Sequence, residues 1–274
     1  MKKPRIPDLW FTALALVAGI CPAPAFAADF AVAVSPPRFE LQLKPGAGRR
    51  EVLELTSAST VAATFTVRTA DWTFGADASV NFVDELLPGS CRPWVAIERR
   101  QLTVQPGRPV RFRFEVAAPA DAPAQECRFA LLIEGQEQTT GGNALKLPFN
   151  ARIGVIVYAA VGDVKPQLAV AGARVDQVNG APTPVLLVRN DGNAHGRLAG
   201  FLSGTDAAGT KLEFSPASAP ILPGETRAIA LMPNKEGDTE TVVAVKYPVT
   251  VTGKLEWGQP QSPQSLPLEQ RFAP

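Results

Sequence analysis

Histidine is almost missing from this chain: among 274 residues there is one, His195, set in a Gly/Asn-rich run. No His/Cys/Asp cluster has the spacing of a metal site, and a lone turn histidine is expected to be exposed and idle. No Gly-rich phosphate loop opens a helix, and no Gly-x-Ser-x-Gly elbow occurs. Charge of one sign is also lacking, with 27 Lys+Arg against 26 Asp+Glu. Without a basic field there is little to attract nucleic acid or an anionic lipid surface. Neighbouring acids such as Asp84-Glu85 fall on opposite faces of an extended chain, which argues against shared proton chemistry. Arg99-Arg100 reads as a solvated step. These absences argue against an enzyme, and no cofactor, metal, nucleic acid or small-molecule substrate is expected.

Long apolar runs are confined to the start. Lys2, Lys3 and Arg5 precede the twelve residues Leu9 to Ile20, and Ala25-Phe26-Ala27 offers small residues where a signal peptidase cuts. Twelve apolar residues are too few to span a bilayer comfortably. Residues 1–27 are therefore expected to be a cleaved export signal, with a membrane anchor as the alternative. Cys21 suggests a lipoprotein, but Ile20 before it is bulky where a small residue is wanted. Removing the leader takes away three bases and one acid and leaves 24 against 25. No later run is long enough to span, so the mature chain is expected to be exported, to the periplasm, without an anchor. Of three cysteines two remain, Cys91 and Cys127. In an oxidising compartment an even pair reads as a disulfide, with two buried thiols as the alternative.

What the chain has in quantity is short alternating runs broken by Pro and Gly, with almost no helical period. The expected strands are Phe39–Leu43, Glu51–Leu55, Ala63–Arg68, Val95–Ile97 with Leu102–Val104, Arg111–Val116 and Arg128–Ile133. Gly135 to Asn143 reads as a polar loop. Ala144–Tyr158 is the strand around which the rest is ordered. Leu145, Leu147, Phe149 and Ala151 alternate with Lys146, Pro148, Asn150 and Arg152, and from Ile153 both faces are apolar. A strand with an apolar face and an exposed edge needs a cover, or is a place where another chain adds a strand. Asp163 to Pro166 reads as a linker. Strand-like runs resume at Leu168–Val170, Val185–Arg189, Leu198–Leu202, Lys211–Phe214, Arg227–Leu231, Val242–Val245 and Val249–Leu255, and the tail from Gly258 reads as an edge strand or frayed. The fold class is thus all-β, two immunoglobulin-like β-sandwich domains in tandem, over residues 28–162 and 163–274. Trp72 and Trp94 are expected in core or rim packing.

Four stretches in order carry a family resemblance: Ser35-Pro36-Pro37-Arg38-Phe39-Glu40-Leu41, then Leu102-Thr103-Val104-Gln105-Pro106-Gly107, then Pro119-Ala120-Asp121-Ala122-Pro123 leading into Cys127-Arg128-Phe129-Ala130-Leu131-Leu132, and finally Ala151 to Tyr158. Together they resemble the first domain of the PapD-like periplasmic chaperones that assemble pili and surface fibres. The resemblance covers about residues 30–161 and only weakly the second domain, where Asn190 to His195 is similar to a common turn. It implies that the last strand of the first domain is lent to a pilin-like subunit lacking one strand, in preparation for an outer-membrane usher. By the same resemblance Leu145, Leu147 and Phe149 plug the subunit groove, and Arg38 and Arg152 hold its terminal carboxylate. Pro148 departs from the pattern by removing one ladder donor, and Arg152 stands where lysine is more usual. The alternative is a structural or adaptor protein of the envelope with the same fold that lends no strand. A hydrolase or glycan-binding protein is a third and more remote reading.

Overall fold

The computed structural model describes residues 32–135, 138–140, 147–149, 151–235, 238–259 and 262–274. The leader and Leu145 lie outside the described residues. None of the described helices is long and apolar enough to cross a membrane.

Twelve described strands make up the first part: β1 (Val32–Ser35), β2 (Arg38–Leu43), β3 (Gly48–Ser57), β4 (Ala63–Phe74), β5 (Val80–Val83), β6 (Val95–Ile97), β7 (Gln101–Val104), β8 (Val110–Ala117), β9 (Glu126–Gly135), β10 (Gln138–Thr140), β11 (Leu147–Phe149) and β12 (Arg152–Val161). One sheet runs β1-β3-β8-β6 and the facing sheet β2-β12-β9-β4-β5, with β7 on β4. The chain changes sheets between β1 and β2. β1 pairs antiparallel with β3, then Pro36-Pro37, which have no N–H to give a ladder, let β2 cross and pair parallel with β12. Alternation decides which side chains enter the core: Phe39, Leu41 and Leu43 from β2, and Phe112, Phe114 and Val116 from β8, are buried while their neighbours face out. Phe114 stands edge-on to Phe39 and Phe129, at 5.1 and 6.3 Å between ring centres. Each such side chain contributes about 1.5–3 kcal/mol by leaving water. Cys91 and Cys127 are disulfide-bonded inside this core, with Cα atoms 5.5 Å apart.

Eight further described strands, β13 (Leu168–Val178), β14 (Ala181–Asn190), β15 (Leu202–Thr205), β16 (Lys211–Pro216), β17 (Thr226–Lys235), β18 (Asp238–Val242), β19 (Val249–Gln259) and β20 (Ser262–Phe272), pair only among themselves. The first half of β17 pairs with β14 and the second half with β16, so this strand carries the ladder from one face of the sandwich to the other. Leu186, Phe214, Ile229, Leu231 and Val251 fill the space between the faces. The protein is therefore all-β, with two sandwiches.

Several expected elements differ. Ala144–Tyr158 is not one strand, because β11 ends at Phe149 and β12 begins at Arg152. Gly135 to Asn143 contains β10, which pairs with β11. β4 continues six residues beyond Arg68, because Ala70, Trp72 and Phe74 have something to pack against on their outer face, the cluster with Leu132, Tyr158 and Leu222 of the second sandwich. The expected strand Leu198–Leu202 begins only at Leu202, and within 198–201 Ala199 makes a single β-bridge with Glu256. β18 precedes the expected Val242–Val245 run, and the tail is the edge strand β20, paired along β19.

Candidate functional site

The first feature is an edge. β12 pairs with β9 over Arg152 to Ala160, but with β2 only over Ile156 to Val161. Its first four residues, 152–155, have a ladder on one side. β11 pairs with β10 and, among the described residues, with nothing else. From Leu147 to Val155 the described backbone is thus bonded on one side only. Such a row of free N–H and C=O groups is a template for another strand. Pro148 supplies no N–H within it. Leu147 and Phe149 share sequence parity with Val155 and Val157, which are fully buried in the core.

Arg152, at the open end of β12, faces Glu134 across the ladder at 2.6 Å. Glu134 also takes two bonds from Arg68, at 3.0 and 3.2 Å, and Arg68 in turn pairs with Asp84. The Arg68 bonds, followed by the charge of Arg152, hold the Glu134 carboxyl below its ordinary range. Gly154, next on the same face, makes room for the Phe82 ring, onto which a Cβ would fall. Arg38 begins β2 beside Ile156, bonds Glu40 at 2.9 Å and keeps 46% of its side chain exposed. Four residues along β12 separate Ile156 from Arg152, about 13 Å of strand. Arg38 and Arg152 therefore share a sheet face, but the structure does not bring them together.

The second feature is a cleft of about 510 Å³ between the two sandwiches, lined by Glu40, Glu126, Tyr158, His195 and Arg197 among others. A buried asparagine sets it up. The Asn190 side-chain oxygen accepts from the Gln167 and Gly192 amides, and its NH2 donates to the Ala194 and Ile221 carbonyls. Gly192 is required because a Cβ there would strike the Lys165 carbonyl. The fixed turn delivers His195 and Arg197 against the first sandwich. His195 donates its backbone amide to Glu126 at 3.0 Å, sets Nδ1 2.8 Å from the other Glu126 oxygen, brings Nε2 to 3.7 Å from Glu40 and stacks on Tyr158 at 3.8 Å. Its side chain is only 8% exposed, which corrects the expectation of an idle surface histidine. Burial alone would depress the His195 pKa, but the hydrogen bonds of Glu126 and Glu40 outweigh it and raise it above the ordinary value. The reverse holds for Glu40, whose carboxyl is lowered first by His195. Burial pushes the Tyr158 hydroxyl up to about 12, so it stays a neutral donor.

Arg227 closes the far side. Its buried guanidinium donates to the Gly75 carbonyl at 2.8 Å, lies 4.1 Å above the Phe74 ring and pairs with Glu225. Trp72 is buried, as expected, under Arg128 at 5.1 Å. Sequence reasoning missed Glu126, Tyr158, Arg197 and Arg227. Glu126 and His195 are 69 positions apart, and no spacing rule links them. The burial signal that was available is the apolar outer face of β4, Ala70-Trp72-Phe74.

No family model matches the chain, and no curated protein matches it. Several solved structures are similar to it at low sequence identity. The class 5 fimbriae chaperone CfaA is similar with a TM-score of 0.47 at 14% identity, covering 89% of this chain and 99% of that one. The YadV chaperone gives 0.45 at 11% identity over 88% and 98%. A CsuC–CsuE chaperone–tip adhesion subunit pre-assembly complex from the archaic chaperone-usher Csu pili of Acinetobacter baumannii gives 0.43 at 13% identity over 86% and 97%.

Proposed function

We propose that this protein is a periplasmic chaperone-like binder that lends residues 144–152 to a secreted subunit whose immunoglobulin-like fold is one strand short, and so keeps a pilin-like subunit ready for usher-dependent assembly. The observation that carries the reading is the one-sided ladder from Leu147 to Val155. Backbone bonds along an added strand give affinity whatever the guest sequence, while alternate side chains set the register. Leu145, Leu147 and Phe149 are the groove-filling side chains of this reading. Arg38 and Arg152, on the opposite parity, are the basic residues it starts from for the guest's terminal carboxylate, since a guanidinium fork binds a carboxylate through paired bonds. The reading needs no chemistry beyond binding.

Purification of the tagged protein from its native periplasm tests it. The expected result is a 1:1 complex with a small secreted β-rich polypeptide, lost on Leu147→Asp while the melting temperature of the free protein is unchanged. Retention of the same polypeptide by Leu147→Asp and Phe149→Asp would leave a non-donating adaptor of the envelope as the reading.

A further inference from the structure

We propose that His195 is a proton-operated latch between the two sandwiches: with its ring protonated it fastens the turn of the second sandwich to Glu126 and Glu40 of the first, and with its ring neutral the Glu40 contact is lost and the turn lifts more readily. The inference does not rest on the strand-lending reading.

The bonds that join this turn to the first sandwich divide into those that titrate near neutral pH and those that do not. The Glu126 amide donates to the Asn193 carbonyl at 3.1 Å, and the Asn193 side chain donates to the Ala124 carbonyl at 3.4 Å. Both are bonds between neutral groups and are indifferent to pH. The ring is different. Its two nitrogens face carboxylates on the two strands that flank β12, Glu126 of β9 and Glu40 of β2. Nδ1 lies 2.8 Å from Glu126, whose side chain is 6% exposed, and Nε2 lies 3.7 Å from Glu40, whose side chain is 51% exposed. A neutral imidazole has one N–H and one lone pair. Glu126 keeps both of its bonds from His195 only if Nδ1 keeps its proton, and a buried carboxylate that loses a donor is costly. The proton that leaves is therefore the one on Nε2. Nε2 then turns a lone pair toward the Glu40 carboxylate, and an attraction becomes a repulsion.

Among the described residues, the charged and titratable groups on the elements packed against the ring are Arg38 and Glu40 on β2, Glu126 and Arg128 on β9, Tyr158 on β12, the exposed Asp163 and Lys165 after β12, and Arg197 two residues beyond His195. Arg38 is bonded to Glu40, Arg128 lies over Trp72, and Tyr158 is neutral. Burial works against the charged ring, but the bonds from Glu126 and Glu40 outweigh it and hold its pKa above the ordinary value. A ring lifted into water returns to about 6.5. The latched form thus binds the proton more tightly than the lifted form. Its advantage is complete below about pH 6.5 and is lost as pH rises through the raised value, by at most about tenfold in the latched-to-lifted ratio per pH unit for one proton.

The test uses the untagged mature chain, whose one histidine gives one ring signal in 15N NMR. The ring signal reports protonation and tautomer. Opening is read from hydrogen exchange of the Glu126 amide, whose acceptor, the Asn193 carbonyl, belongs to the second sandwich. Protection of that amide, corrected for the intrinsic pH dependence of exchange, is expected to fall severalfold between pH 6 and pH 8.5, with the same midpoint as the ring. Ile133, inside the β9–β12 ladder, is expected to stay constant. The neutral ring is expected to carry its proton on Nδ1. His195→Gln is expected to remove the pH dependence, and Glu40→Gln to move the ring midpoint down. Glu126 protection that stays constant while the ring titrates, a ring that holds one state across the range, a neutral ring protonated on Nε2, or an unchanged pH dependence in His195→Gln each overturns the proposal. Should His195→Gln not fold, the wild type decides alone: coincident midpoints support the latch and separated ones overturn it.

Discussion

In β12, residues Ile156 to Val161 lie between β2 and β9, whereas 152–155 have β9 alone. The closed half buries Val157 and Ala159 in the core and presents Tyr158 to the cleft. The open half begins at the Arg152–Glu134 pair and leads back toward β11, which is bonded only to β10 among the described residues. The contrast arises where β2 starts. β2 joins β12 only at Arg38, after Pro36-Pro37 have carried the chain across from β1, so none of the described strands covers the segment before Ile156 on that side. A single strand thereby lies in the core at one end and, among the described residues, has a ladder on one side only at the other.

Substitutions at the two ends should separate these roles. The largest effect is expected from Val157→Asp in the closed half, where a carboxylate would enter a site with no exposure; a loss of about 4 kcal/mol or more in denaturant unfolding follows, whereas the strand-lending proposal expects less than about 0.5 kcal/mol for Phe149→Asp. Equal losses would mean that the open half is also core. Next is the disulfide behind the closed half. Replacing Cys91 and Cys127 by Ala opens a 36-residue loop and is expected to cost about 4 kcal/mol by chain entropy, seen as a lower denaturant midpoint in oxidised samples. Asn190→Ala removes a buried hub and is expected to cost about 1–3 kcal/mol, with loosening of the His195 turn visible as faster amide exchange at Gly192 and Ala194.

The core face of the first sandwich was readable from alternation, because a residue's side of a sheet follows from its parity. Phe39-Leu41-Leu43 and Phe112-Phe114-Val116 needed no coordinates. The length of β4 was not readable in the same way, because Ala70 and Trp72 are buried by residues distant in the chain, Ala130, Leu132, Tyr158 and Leu222.

Two smaller effects complete the comparison. Arg152→Ala breaks a largely exposed pair and is expected to change stability by less than about 1 kcal/mol, measured by denaturant midpoint. The smallest is a pH effect in the cleft. His195 binds its proton more tightly folded than unfolded, so its contribution is complete below about pH 6.5 and fades as pH rises through the raised folded value. The melting-temperature gap between the wild type and His195→Gln should therefore narrow from pH 6 upward, and a gap that widens instead would mean that the buried ring is neutral.

By itself, the sequence determined the all-β class, the two-sandwich layout and the cysteine pair, since each of these follows from local periodicity, turn residues or a count. Only the tertiary structure decided which half of β12 is left uncovered, and that Arg38 pairs with Glu40 while Arg152 pairs with Glu134. Those outcomes depend on register between strands far apart in the chain, which leaves no periodic mark on the residues involved.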